Sequence, residues 1–110
     1  MMGIKILSPV LGMITCADVT RHFTFCPACD TIHLVNLEGS PQTGPKWRFS
    51  GSEQSPTFSP SVRVDWGDPS RRQCHYFVRD GKTQFCSDST HELAGKIVPL
   101  PEIPDEWKEQ

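Results

Sequence analysis

Apolar and β-branched residues occur in short runs along the chain, and prolines, glycines and small polar residues separate these runs. The runs are rich in Thr, Val, Ile, Phe and Trp, which favour the pleated surface of a strand. We therefore predict a mainly β fold, either a small antiparallel sheet or a sandwich. The predicted strands cover residues 4–7, 21–25, 31–36, 46–49, 57–64, 74–78 and 83–86.

The clearest turn signal is Arg79-Asp80-Gly81, which predicts a hairpin between the last two strands. A three-residue loop with Gly81 in the left-handed conformation pairs His75 with Phe85. A two-residue loop shifts the pairing by one residue and turns His75 away from Phe85. Both registers are compatible with the sequence.

Two other segments complete the predicted organisation. Small polar residues precede a helix-compatible run that Gly95 ends, so we expect at most one short helix near residues 90–95. With 110 residues the chain fits one domain. We assign residues 1–100 to a single zinc-stabilised β-rich domain and residues 101–110 to an acidic, proline-bearing tail.

The composition limits the core and the classes of partner. Hydrophobic residues make up 36% of the chain, which also has ten prolines, so a cross-link or a metal would add stability that burial alone does not supply. The formal net charge of -2 argues against a nucleic-acid partner. The sequence contains no apolar run long enough for a membrane span and no secretory signal, which favours a cytoplasmic location.

The most specific motif is Cys26-Pro27-Ala28-Cys29, hereafter the knuckle, because two cysteines separated by two residues can bind one tetrahedral zinc ion. Asp30 is expected in the left-handed conformation that follows such a turn. A redox pair is the alternative, but it normally lies at a helix N-terminus in a βαβ unit, which the sequence does not predict. Cys16 and Cys86 are expected to be small apolar residues.

The second half of the zinc site is predicted to come from the final hairpin region, where Cys74, His75 and His91 lie close in sequence. Cys74 and His75 are neighbours on a strand and point to opposite faces, so only one of them can bind the ion. We predict Cys26, Cys29, Cys74 and His91 as ligands, with His75 as the substitute for Cys74. His33 is expected to be a half-buried strand histidine.

Four protein ligands would make the zinc structural, whereas three ligands and a water would make it catalytic. The sequence favours a protein-interaction module with a structural zinc. The alternative is a metal-dependent hydrolase with an open zinc site, in which Asp88 or Glu92 activates water. The segments 47–51 and 56–62 are interpreted as core strands, and their flanking prolines indicate an edge position.

The chain also resembles a known family over most of its length. The resemblance rests on the knuckle with His33 and on the segments 47–51, 56–61, 74–78, 88–91 and 93–95. The family consists of small phage and prophage-associated proteins, catalogued as domain-of-unknown-function family 6527 and sometimes mislabelled ammonia monooxygenase.

The resemblance implies a phage or prophage origin and, from neighbouring ubiquitin-like conjugation genes, a small adaptor or processing role with a protein partner. The oxygenase label has no support in these residues. The chain departs from the family pattern where Asp30 replaces glycine and where Ser89 replaces cysteine. If that cysteine is a family zinc ligand, this chain needs His91 or His75 in its place.

Overall fold

The computed structural model describes residues 2–67 and 72–108, and its first half is a four-stranded antiparallel sheet. The strands follow one another in the order β1-β2-β3-β4. Their bounds are β1 Met2–Ser8, β2 Leu11–Cys16, β3 Val19–Cys26 and β4 Thr31–Val35. The predicted strand at residues 4–7 lies within β1. This strand begins a hairpin whose return strand β2, which the sequence analysis did not predict, starts directly after Val10.

The second half is a five-stranded antiparallel sheet in the order β5-β6-β7-β8-β9. Its strands are β5 Arg48–Gly51, β6 Pro56–Asp65, β7 Gln73–Arg79, β8 Lys82–Phe85 and β9 Ile97–Pro99. The mainly β prediction is confirmed. Residues 91–95 form turns, and the one helix among the described residues is a single 3-10 turn at Asp105–Trp107. No helix in this part of the chain is long and apolar enough to span a membrane.

The two sheets share one hydrophobic core. Leu11 and Val35 from the first sheet pack in the same cluster as Phe58, Val62 and Tyr76 from the second. All five side chains are at most 5% exposed. The alternation of buried and exposed residues along β7 directs one set of its side chains into this core and the other set outward. The fold is therefore a sandwich, and the outer face of the second sheet is open for other contacts.

The hairpin between β7 and β8 has the two-residue loop. Arg79 pairs with Lys82, and both loop residues, Asp80 and Gly81, have positive φ angles of 50° and 76°. This conformation matches the twist of a tight hairpin. Tyr76 therefore pairs with Phe85, and His75 lies on the opposite face of the strand.

An irregularity in β6 changes which of its side chains face outward. Phe58 pairs with Val78 and Val62 pairs with Tyr76, so three residues of β6, ending at Ser61, lie opposite a single residue of β7. The Ser59–Pro60 peptide bond within this bulge is cis. Phe58 and Val62 both point into the core. Ser61 is half-buried and lies between the exposed Pro60 and the buried Val62. Bulges commonly redirect side chains in this way.

Residues of the predicted tail pack onto the sandwich as far as the structure describes them. Ile103 is buried, and its N–H donates a hydrogen bond to the carbonyl of Pro9 at 2.8 Å. Trp107 is half-buried. Residues 109 and 110 lie outside the described residues.

Candidate functional site

The knuckle joins β3 to β4 and has the geometry of a metal-binding turn. Cys26 ends β3 and is buried, and Cys29 is half-buried in the loop. The N–H of Asp30 donates to the carbonyl of Cys26 at 2.9 Å, and Asp30 has a φ of 57°. The prediction of a left-handed Asp30 is confirmed. The turn brings both cysteine side chains to the inner end of the first sheet.

Cys74 reaches the knuckle from the second sheet. Its Sγ lies 3.7 Å from the Sγ of Cys26. A tetrahedral zinc with Zn–S bonds of about 2.3 Å sets two sulfurs about 3.8 Å apart. Cys74 is fully buried, so its sulfur faces this cluster and not solvent. The sulfurs of Cys26 and Cys74 therefore have the spacing that a shared zinc ion requires.

His33 is the imidazole nearest these sulfurs. Its ring, Cys26 and Cys29 each offer a ligand atom, and those atoms lie within 4.8 Å of one another. The Nδ1 atom of His33 lies 2.7 Å from the hydroxyl of Tyr76, and both residues are buried. If Nδ1 donates to that hydroxyl, Nε2 keeps a free lone pair for a metal.

The three thiols shift one another's pKa. Hydrogen bonds from Cys26 and then Cys74 hold the pKa of Cys29 far below its usual range. The pKa of Cys26 is raised to about 11 by its hydrogen bond to Cys29, and that of Cys74 is raised by its hydrogen bond to Cys26. Three adjacent thiolates would need a cation to offset their repulsion.

His91, the fourth ligand predicted from the sequence, has other contacts. Its ring packs edge-on against Phe85 at 4.8 Å between centroids, and its Nδ1 accepts a hydrogen bond from the N–H of Leu93 at 3.2 Å. The Nε2 of His91 is buried and has no hydrogen-bond partner among the described residues, and His91 lines one surface groove with Pro27 and Ala28 of the knuckle. The two groups of candidate metal ligands among the described residues include neither His91 nor Cys74, so the predicted ligand set stays a prediction.

On the outer face of the second sheet, His75 contacts two polar side chains. Its Nε2 lies 2.9 Å from the Oγ of Ser61, and its Nδ1 lies 3.0 Å and 3.1 Å from the two carboxylate oxygens of Asp88. The side chain of His75 is 24% exposed and that of Asp88 is 52% exposed. We refer to Ser61, His75 and Asp88 as the triad. Their arrangement is that of a nucleophile, its base and the group that orients the base.

The loop after β8 holds His75 in place. The Oγ of Ser89 accepts a hydrogen bond from the His75 N–H at 3.0 Å and donates one to the His75 carbonyl at 2.9 Å. The N–H of Cys86 also donates to that carbonyl, at 2.8 Å. Ser89 is buried and contacts strand β7. Ser89 therefore supports the backbone of His75.

Cys86 is a second nucleophilic atom close to His75. Its Sγ, a ring nitrogen of His75 and a carboxylate oxygen of Asp88 lie within 4.8 Å of one another. Burial and the charge of Asp88 raise the pKa of the Cys86 thiol, against a lowering by Arg79. A thiol with a raised pKa is a poor nucleophile. The hydroxyl of Ser61, hydrogen-bonded to His75, is the better-placed nucleophile.

Sequence reasoning singled out two members of the triad for other roles and missed the third. His75 was the substitute zinc ligand and Asp88 a candidate water-activating carboxylate, whereas Ser61 lay in a segment interpreted as a core strand. Ser61 is not in a G-x-S-x-G motif, the sequence signal for one kind of nucleophilic serine. The one available signal was the strand alternation that separates His75 from Cys74.

A protein-family model matches residues 10–86 of the chain. The family is described as the bacterial ubiquitination-like system serine protease, BubE. The matched residues include Ser61, His75, the knuckle and Cys74. Comparisons with curated proteins and with solved structures give no significant match.

Proposed function

Because the chain belongs to the BubE family of bacterial ubiquitination-like system serine proteases, we propose that it is a serine hydrolase acting on a polypeptide substrate. Ser61 is the nucleophile, His75 the general base and Asp88 the carboxylate that orients it. The observation that carries the proposal is the continuous hydrogen bonding from the Ser61 Oγ through both ring nitrogens of His75 to Asp88. Such triads are recognised by geometry and not by their order in the chain.

In the proposed reaction, the Oγ of Ser61 attacks the substrate carbonyl while Nε2 of His75 accepts its proton. The tetrahedral intermediate collapses to an ester on Ser61, and the leaving group takes the proton from Nε2. Water then attacks the ester, losing a proton to Nε2, and the acid product leaves with Ser61 restored. Asp88 keeps the other His75 proton on Nδ1 and stabilises the imidazolium that forms in each half-reaction.

The same proposal assigns a structural zinc to Cys26, Cys29, Cys74 and His33. This set has four ligands and a hydrogen-bond partner for its histidine, which is typical of a closed site. His33 takes the position that the sequence prediction gave to His91. Because Cys74 and His75 are on opposite faces of β7, the zinc ties the two sheets together on one side while the triad lies on the other.

A specific observation favours a second candidate, the metal-dependent hydrolase. His75, Cys86 and Asp88 offer three metal-ligand atoms within 4.8 Å, and three protein ligands leave a position for water. In that case activity would require a metal at the triad.

A protein partner follows from the family description, whereas a phage or prophage origin and a cytoplasmic location stay predictions.

A fluorophosphonate probe, which reacts with activated serine hydroxyls, tests the serine chemistry directly and needs no known substrate. We expect one label per chain, mapped to Ser61 by mass spectrometry, and no label in Ser61→Ala. Ser50→Ala is the matched control, because Ser50 is an exposed serine on the neighbouring strand β5. The proposal is wrong if the folded protein is not labelled or if Ser61→Ala still is.

Metal analysis of two histidine variants tests the zinc assignment separately. We expect about one zinc per chain in the unmodified protein and in His91→Ala, and a large loss of zinc in His33→Ala. Circular dichroism on each variant shows whether lost zinc accompanies lost structure. Full zinc in His33→Ala with loss in His91→Ala would restore the ligand set predicted from the sequence.

A further inference from the structure

The thiol of Cys86 lies beside the triad and has no role in the proposed hydrolysis. Its Sγ is within 4.8 Å of a ring nitrogen of His75 and of a carboxylate oxygen of Asp88. Cys86 and His75 are half-buried and Asp88 is exposed, so a small ion can reach all three from solvent. These residues also come from two elements that the Cys86 N–H bond to the His75 carbonyl holds together.

One thiolate, one imidazole and one carboxylate form a donor set that suits Zn²⁺ and its softer analogue Cd²⁺. Accepting the proposed serine hydrolase function, we propose that a thiophilic divalent cation binds reversibly to Cys86, His75 and Asp88 and switches the hydrolase off. Water completes the coordination. The ion displaces the thiol proton of Cys86 to solvent, so no oxidant or other reactant is needed.

Metal binding and serine activation exclude each other whichever nitrogen of His75 the ion takes. An ion on Nε2 occupies the lone pair that would accept the Ser61 proton. An ion on Nδ1 leaves the ring's proton on Nε2, which then donates to the Ser61 Oγ and cannot act as a base. In both cases Asp88 turns from the histidine to the ion. The inhibited state therefore follows from the shared ligands without any change in the fold.

This site has three protein ligands, one fewer than the cluster around the knuckle. We expect it to bind more weakly, so that the structural zinc stays bound while the inhibitory ion exchanges. Because the affinities differ, metal binding at the knuckle cluster and at Cys86 can be measured one after the other. The starting material is the zinc-loaded protein with one equivalent of zinc.

The first experiment measures binding. Zinc-loaded protein is titrated with Cd²⁺ and the ultraviolet charge-transfer band of Cd–thiolate bonds is recorded for the unmodified protein, for Cys86→Ala and for Cys16→Ala. Cys16 is an exposed thiol on β2 and controls for adventitious binding. We expect the unmodified protein and Cys16→Ala each to bind one more equivalent of thiolate-bound Cd²⁺ than Cys86→Ala, whatever Cd²⁺ exchanges into the knuckle cluster of all three proteins. Equal titrations for all three proteins would overturn the proposal.

The second experiment measures the rate at which the fluorophosphonate labels Ser61 in the same samples. Saturating Zn²⁺ or Cd²⁺ should slow labelling at least tenfold in the unmodified protein, and a desalting column should restore the rate. Cys86→Ala should label at the unmodified rate and resist both ions. If Cd²⁺ binds at Cys86 but labelling of Ser61 is not slower, the inhibitory role is wrong. Faster labelling in the presence of metal would also overturn it and would support metal-dependent hydrolysis.

Failure of the serine hydrolase proposal stays distinguishable from failure of this one. If the metal-free triad is not labelled at all, the hydrolase proposal is wrong. The Cys86-dependent Cd²⁺ band then still decides whether the cation site exists.

Discussion

Replacing Asp88 by Asn removes one charge from the triad and leaves its shape almost unchanged. Both carboxylate oxygens lie within 3.1 Å of the His75 Nδ1, so the carboxylate faces the positive charge that develops on His75 during catalysis. Unit charges about 4 Å apart attract by about 1 kcal/mol in water and about 4 kcal/mol at the effective dielectric of a protein surface. Since Asp88 is 52% exposed, the loss should fall between these limits.

Each 1.36 kcal/mol of barrier is a factor of about ten in rate. The range therefore predicts that Asp88→Asn slows labelling of Ser61 by roughly 5-fold to 10³-fold, less than the roughly 10⁴-fold loss when a buried triad aspartate is replaced. A higher salt concentration should reduce the difference in labelling rate between Asp88→Asn and the unmodified protein, because salt screens an exposed charge pair. Pseudo-first-order labelling rates under excess probe give the measurement.

Glu92→Gln is the matched control for the Asp88 variant. It removes a nearby exposed carboxylate that lines a surface groove of about 290 Å³ with Pro27 and His91, on a different part of the surface loop. We expect its labelling rate to equal that of the unmodified protein, with both variants melting at the same temperature. Full activity in Asp88→Asn, or an equal loss in Glu92→Gln, would refute the role given to Asp88.

Three further predictions concern the zinc cluster, the first sheet and the support of the general base. Tyr76→Phe removes the partner of the proposed histidine ligand and should weaken zinc affinity by about 10-fold to 100-fold in a chelator competition. Gly12→Ala sets a new Cβ 2.3 Å from the buried ring of Phe23 and should cost about 1–3 kcal/mol in urea unfolding, whereas Gly3→Ala, with nothing within 4 Å, should not. Ser89→Ala removes the acceptor of the His75 N–H hydrogen bond. It should lower the free energy of unfolding by about 1–3 kcal/mol and slow labelling of Ser61. An unchanged labelling rate and stability would contradict this.

Local sequence was a good guide wherever neighbouring residues determine the geometry. The knuckle, the left-handed Asp30 and the tight turn at Asp80-Gly81 each depend on a few consecutive residues with restricted backbone angles. The strands follow from β-branched and aromatic runs for the same reason. The strand β2 was missed because Gly12 lies inside it, and a glycine usually weakens a strand. Here the ring of Phe23 covers the space that a side chain would fill.

Tertiary structure alone decided which distant side chains meet. His33 was interpreted from the sequence as a half-buried strand histidine, and only the packing of the sheets shows that it lies on a strand whose inner face meets Cys26. Ser61 reaches His75 because a bulge in β6 and the register of β7 bring them to one face, and a slip of one residue would send them to opposite faces. A sequence records which groups are present, whereas the pairing of remote strands is a cooperative property of the whole sandwich and has no local signal.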